Sequence, residues 1–332
     1  MSLTYRPTKP ADLRSCFELA SDRGAYGSAA EQGALLGFWE HLLESKVGLS
    51  RVVEDRTLSA GKRILGFVLS VFVTDEFRDE IKAAFGPHVG RQVYRRRRSG
   101  RPAFLSRREI ALRNSHGGLN LLVISHGTAP TSAPDGDLRV RARMFEAFIE
   151  CHGGYVIQEL VQEVFGPEER AGALALGWKL VRDLAAPRPA PEATSAGEPG
   201  SALIGLHRDA CRFPNPLWGM FYSPQPRFQF SDVEKDVLEA ALCNGTDEEI
   251  SRNLDISIWT IKKRWQKVYA KVDRVIPDLL QPSIGAEATA LDSRGGQRRR
   301  HLLDYLRQLP HELRPTVQAG RARSKIEYSR PR

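Results

Sequence analysis

Between Ile256 and Val272 the chain reads ISIWTIKKRWQKVYAKV, with five cations and no acidic residue. These residue types suit a polyanion. Lysines neutralise phosphates and donate to guanine O6 and N7, and a glutamine can pair bidentately with adenine. As a helix, at about 100° per residue, the segment puts Ile261, Trp265, Val268 and Val272 in one apolar stripe. Lys263, Gln266 and Ala270 point the opposite way, with Trp259 and Lys267 beside them. Lys262 and Lys271 flank the stripe. A merely solvated face would alternate acids with bases, and here none alternates, so the pattern favours a helix that seats its stripe on neighbours and offers its cations to nucleic acid.

The elements before it supply those neighbours. Ser231 and Glu234 form one S-x-x-E capping box, Thr246 and Glu249 a second, and Gly245 ends the helix between them. Val237, Leu238, Ala241 and Leu242, then Ile250 and Leu254, repeat at helical spacing. Ser257 caps the cationic helix. Three short helices with tight turns predict a helix-turn-helix unit.

From Phe230 to Val272 this stretch resembles the DNA-binding domain of LuxR-type transcriptional regulators. The resemblance rests on Glu249-Ile250, Leu254-Asp255-Ile256-Ser257, Thr260-Ile261-Lys262 and Lys271-Val272. Arg264, Trp265 and Ser251 stand where His, Leu or Val, and Ala are usual. The resemblance implies that Thr260 bonds a phosphate and that Lys262 reaches phosphate or base. It implies that Lys263 and Gln266 read base edges while Lys267 holds the backbone. Trp259 and Lys271 complete the expected DNA-binding set.

The first half alternates strands and helices. LTYRP, LSRVVED, RILGFVLSVFVTDEF, LNLLVIS, YVIQELVQEVF and GWKLVRD read as strands, with Gly61-Lys62 in a turn between the second and third, a polar, Arg-rich stretch before LNLLVIS, and helical patterns in the other segments between them. This predicts an α/β domain with helices covering a mixed sheet. From Leu3 to about Asp183 that order is similar to the GNAT acetyltransferase fold, with echoes in RPTKPADLRS, RILGFVLSVF and ALALGWKLV. Two residue patterns depart from it. The phosphate-cradling Q/R-x-x-G-x-G/A loop is replaced by HGTAPTSAPDGD, where Pro130 and Pro134 remove N–H donors. Ala173 stands where a tyrosine acid is usual. The expectation is therefore a GNAT-like domain without catalytic residues or cofactor, serving regulation or dimerisation.

Composition bounds the rest. The 332 residues are 41% hydrophobic and carry a formal net charge of +9, which favours a polyanionic partner. Cys16, Cys151, Cys211 and Cys243 lack CxxC spacing, and His116, His126 and His152 lack ligand spacing, so neither a metal site nor a disulfide framework is expected. The run YRRRRSGRP reads as a solvated loop. No signal peptide and no apolar run of about 20 residues is present, so a cytoplasmic protein away from membranes is expected. The expected domains are 1–184 (α/β, GNAT-like), 185–204 (linker, from AAPRPAPEATSAGEPGS), 205–280 (LuxR-type helix-turn-helix) and 281–332 (a basic extension with one helix, RRRHLLDYLRQL). The resulting expectation is a sequence-specific transcriptional regulator and not an enzyme. It would bind double-stranded DNA as a homodimer, under an unidentified small-molecule effector. The alternative is an active acyl-CoA-dependent N-acyltransferase fused to a DNA-binding helix-turn-helix.

Overall fold

The computed structural model describes residues 2–21, 28–101, 103–131, 135–184, 200–243, 245–280 and 294–317. The chain divides into Met1–Tyr222 and Ser223–Arg332.

The first unit is built on a seven-stranded mixed sheet, in the order β1-β2-β3-β4-β5-β7-β6. In chain order its elements are β1 (Leu3–Pro7), α1 (Leu13–Leu19), α2 (Ala29–Glu44), β2 (Gly48–Asp55) and β3 (Ile64–Val73). Then come α3 (Asp75–Ala84), α4 (Val89–Arg98), α5 (Arg107–His116), β4 (Leu119–Thr128) and α6 (Gly136–His152). The last are β5 (Ile157–Phe165), α7 (Gly166–Ala175), β6 (Lys179–Asp183), β7 (Ser201–His207) and α8 (Trp218–Phe221). Strands β1 to β4 pair antiparallel, β4 and β5 parallel, and β7 inserts antiparallel between β5 and β6.

Strand β3 is apolar except at Gly66 and Ser70 because both its faces are covered, and the two-residue repeat sends alternate side chains to separate cores. In β3, Phe67, Leu69, Val71 and Val73 enter a core shared with α1 to α4. Val68 and Phe72 enter the other, with Phe148 of α6 and Leu217, Met220 and Phe221.

Three expectations are corrected here. The boundary at 184 is wrong, because Ser201–His207 is a strand of this sheet and the unit runs to Tyr222. The segment was assigned to the linker and second domain because SALIGLH lies beyond a Pro-rich stretch, and its pairing with β5 is not local. Residues 185–199 of the expected linker lie outside the described residues. The polar stretch before β4 is three helices, not loop. The run of arginines ends α4, with Arg96 turned inward against Glu80 and 4.4 Å above the Phe77 ring.

The second unit contains α9 (Asp232–Leu242), α10 (Asp247–Leu254), α11 (Ile258–Val275) and α12 (Arg294–Gln308). Both capping boxes form, and Ser257 Oγ accepts from Thr260 N at 3.2 Å. Ile261, Trp265, Val268 and Val272 are buried together with Val237, Leu238, Ala241 and Ile250. The basic extension is also corrected. Leu302, Leu303 and Leu306 of α12, with Leu313, belong to this same core. Arg299 of α12 pairs with Asp247 at 2.8 Å and stacks 4.8 Å above Trp265, whose Nε1 donates to the same Asp247 at 3.2 Å.

Candidate active site and cationic helix face

Strand β4 carries an irregular register against β3 at Leu69/Ser70. Its parallel pairing with β5 runs only from Leu119 to Val123 and stops at Gln162. Beyond that point β4 stays with β3 and β5 stays with β7, so the two central strands part. A cavity of about 430 Å³ opens there, walled by Met144 and Phe148 of α6, Trp178 and Leu217, with Arg141 also on its lining. The end of α1 closes on the β4 side. Ser21 N donates to His126 O at 2.9 Å, and a Cβ at Gly127 would strike the Leu19 carbonyl.

Two titratable side chains meet in this cleft. His126, on the free part of β4, contacts the Glu169 carboxylate through Nε2. Glu169 sits in the first turn of α7, which starts sharply because Gly166 takes φ +80° and Pro167 follows. Its second oxygen accepts from Phe165 N at 2.9 Å. Burial alone would push the Glu169 carboxyl up, but the His126 imidazole and the Phe165 N–H outweigh it and hold the group below its ordinary value. An ionised Glu169 makes Nε2 the protonated nitrogen and leaves the lone pair of the neutral ring on Nδ1. Gln162 Nε2 lies 3.4 Å from that Nε2, so the amide fits better turned with its oxygen toward the ring. A base oriented by a carboxylate is one arrangement suited to proton abstraction.

Neighbouring residues fix the cleft. Glu163 accepts from His88 N and Val89 N at 2.8 and 2.6 Å, tying α4 to β5 at its N-terminus. Phe165 lies between the rings of His88 and His126. At the far end Thr131 N donates to Asp137 Oδ1 at 2.7 Å, and residues 132–134 of the expected cradle loop, Pro134 included, lie outside the described residues. Ala173 does line the cleft and supplies no acid.

Sequence reasoning placed His126 near a strand end and excluded it as a ligand, and it passed over Glu169. The pair is 43 residues apart, and no spacing rule joins them. Only the start of α7 beside the parted strands does. Among the described residues no cluster of His, Cys, Asp or Glu could hold a metal, and no helix is long and apolar enough to cross a membrane.

In the second unit, Trp259, Lys262, Lys263, Gln266 and Lys267 of α11 are exposed and share one side. Trp259 is 69% exposed, with Lys263 Nζ 4.9 Å above its ring. Thr260 Oγ1 lies 2.9 Å from Ser257 Oγ at the start of the helix. Lys271 is the exception. Its ammonium is held by the buried Glu234 at 2.6 Å and donates to Gln229 O at 3.4 Å, so it joins α11 to α9 instead of standing with the exposed cations. Its position beside the stripe, and not opposite it, is the reason.

The mixed sheet with its helices resembles the GNAT fold. Arabidopsis thaliana NAA60 in complex with a bisubstrate analogue is 15% identical, with a TM-score of 0.37, covering 62% of this chain and 98% of that one. The same protein in complex with acetyl-CoA is 16% identical at 0.36, covering 63% and 99%. The histone acetyltransferase HPA2 and related acetyltransferase structure from Corynebacterium glutamicum is 14% identical at 0.33, covering 62% and 96%. No protein-family model and no curated protein matches the chain. The expectations of a transcriptional regulator with a non-catalytic first domain, and of a chain that is not an enzyme, are corrected by this finding. The similar structures include acetyltransferases, one of them holding acetyl-CoA. The physical reason is in the cleft. The absent tyrosine and the altered loop do not empty the cleft of titratable groups, because His126 and Glu169 meet where the strands part.

Proposed function

We propose that this chain is an acyl-CoA-dependent N-acyltransferase whose second unit is a LuxR-type helix-turn-helix that contacts duplex DNA. The observation that carries the enzymatic reading is the cleft between β4 and β5, with the His126–Glu169 pair on its wall. The residues fit an acyl-CoA substrate. Strand β4 beyond Val123 has no β5 partner, and Met144, Phe148 and Trp178 give the cleft an apolar lining for an extended chain. Arg141, with the N-terminus of α6, supplies positive potential for phosphates. Asp137 opposes them, though its carboxylate is held by Thr131. The substrate brings the activated thioester. The amine nitrogen bonds to the thioester carbonyl carbon and the C–S bond breaks; His126 takes the proton that the amine loses and returns it to the departing thiolate, while Glu169 holds the ring in orientation and offsets the charge it gains in between. The apolar wall keeps water from competing with the amine.

Release of free thiol from acetyl-CoA by the full chain, measured with a panel of primary amines and amine-bearing peptides, tests this reading. Amine-dependent release is expected, and His126→Ala should lower kcat by about 10²–10⁴-fold with folding intact. Release that needs no amine, or an unchanged His126→Ala rate, would remove the reading.

The DNA contact is supported by the exposed cationic face of α11 and by the residues Glu249-Ile250, Leu254-Asp255-Ile256-Ser257 and Thr260-Ile261-Lys262. Thr260, Lys262 and Lys267 would meet phosphates, and Lys263 and Gln266 base edges, with Trp259 beside them. The enzyme would in this way be carried to DNA-associated acceptors.

A further inference from the structure

We propose that the groove between α2 and α4 in the first unit is a docking site for an acidic polypeptide segment. The groove, of about 890 Å³, is separate from the β4–β5 cleft and shares no lining residue with it. Its rim is made by Arg95, Arg97 and Arg98, the outward members of the α4 arginine run. All three are exposed, and among the described residues Arg95 and Arg97 make no ion pair. The carboxylate on the lining, Glu31, is already neutralised by Arg91 through contacts of 3.0 and 3.2 Å. Three guanidinium groups therefore face a groove in which no unpaired carboxylate answers them. Such forks suit carboxylates bidentately.

The floor decides between polyanions. Phe38 and Tyr94 form it, but they are only 8% and 5% exposed. Their rings face each other at 5.7 Å, and Arg98 lies 5.9 Å from the Tyr94 centroid. Neither offers the open face on which a nucleic-acid base would stack. A narrow apolar floor with a cationic rim instead suits an extended peptide that alternates apolar and acidic side chains. The α2 wall of the groove, from Ser28 to His41, runs about 20 Å, enough for five or six such residues. Because Glu163 ties the start of α4 to β5, the groove is fixed to the sheet and needs no rearrangement to form.

Fluorescence polarisation of a labelled ten-residue peptide alternating Glu and Leu, titrated with the full chain, tests the proposal. Saturable binding is expected, weakened at least about tenfold by Arg95→Glu/Arg97→Glu. It should change less than about twofold in Arg108→Glu/Lys179→Glu, which removes the same charge from other exposed positions of the same unit. Thermal melts should be unchanged in both. Equal loss in the two double variants, equal binding of the peptide with Gln for Glu, or displacement by single-stranded oligonucleotide at lower concentration than by unlabelled peptide would each overturn it.

Discussion

The β4–β5 cleft and the α11 face place their candidate residues by opposite means. On α11 one continuous helix of 18 residues carries the whole set, so position along the chain gives position in space. In the cleft, His126 comes from a strand and Glu169 from a helix 43 residues later. What brings them together is the failure of two strands to stay paired. A surface that one element presents follows from its periodicity. A site that several elements enclose follows from topology, and the missing pairing that makes it has no local signature.

The first way to break the comparison is to remove the seam that aims α11. Trp265 is 5% exposed, donates to Asp247 and lies under Arg299. Trp265→Ala should cost about 3–5 kcal/mol through the cavity and leave Asp247 one donor short. Calorimetric melting should show the transition of the second unit lowered or lost and that of the first retained, with DNA binding gone and acyl transfer kept. A single unchanged transition would mean that the stripe does not hold this unit together.

A smaller effect is expected on the exposed side of the same helix. Lys263→Ala and Gln266→Ala should each lose about 1–3 kcal/mol of discrimination between sites. Lys267→Ala should weaken all sequences alike and reduce the salt slope by about 1. Selection from random DNA, followed by titrations at several salt concentrations, separates the two classes. Lys271→Ala should instead act on stability, since its ammonium serves Glu234. If Gln266→Ala left the selected site unchanged, the α11 face would not read bases.

These contrasts show why some of the molecule was legible in the sequence. The α11 stripe and its caps were, because Ile261, Trp265, Val268 and Val272 repeat at helical spacing and Ser231, Thr246 and Ser257 are local signals. Strands β1 to β6 were too, from their apolar runs. Strand β7 was not, because it follows a Pro-rich stretch and its partners, β5 and β6, precede that stretch in the chain. Helices α3 to α5 were hidden by their charge. Thr74 and Ser106 cap α3 and α5, but the segment reads as polar unless its few buried residues, such as Phe77, Ile81, Val93 and Ile110, are known in advance. The role of Lys271 was missed for a related reason. A cation beside an apolar stripe looks exposed until the acid that meets it, Glu234 on another helix, is placed.

The smallest effect separates the two regions by pH. Glu169 in the cleft and Glu234 under α11 are both held below the ordinary carboxylate value. For each, burial pushes up and is outweighed, by His126 and Phe165 N–H in the first and by Lys271 and the Ser231 cap in the second. A carboxylate lowered in the folded state contributes stability above its unfolded value, near about 4.3, and loses it as pH falls through the native value. Both units should therefore weaken on the acid side, and neither pair favours folding at still lower pH. The partners differ in kind. One is a lysine ammonium, and the other is an imidazole, the class of side chain that titrates near neutrality. Lys271→Gln should consequently shrink the acid-side loss in the second unit alone, because burial then dominates at Glu234. Glu169→Gln should shrink it in the first unit alone and also alter the pH profile of acyl transfer near neutrality, by freeing the His126 ring from its carboxylate. Urea unfolding of the full chain between pH 3 and 6, with each unit followed separately, measures the first effect, and kcat between pH 6 and 9 measures the second. A Glu169→Gln enzyme whose pH profile coincided with the wild type would show that the pair is structural, and His126 would then lose its claim to the proton.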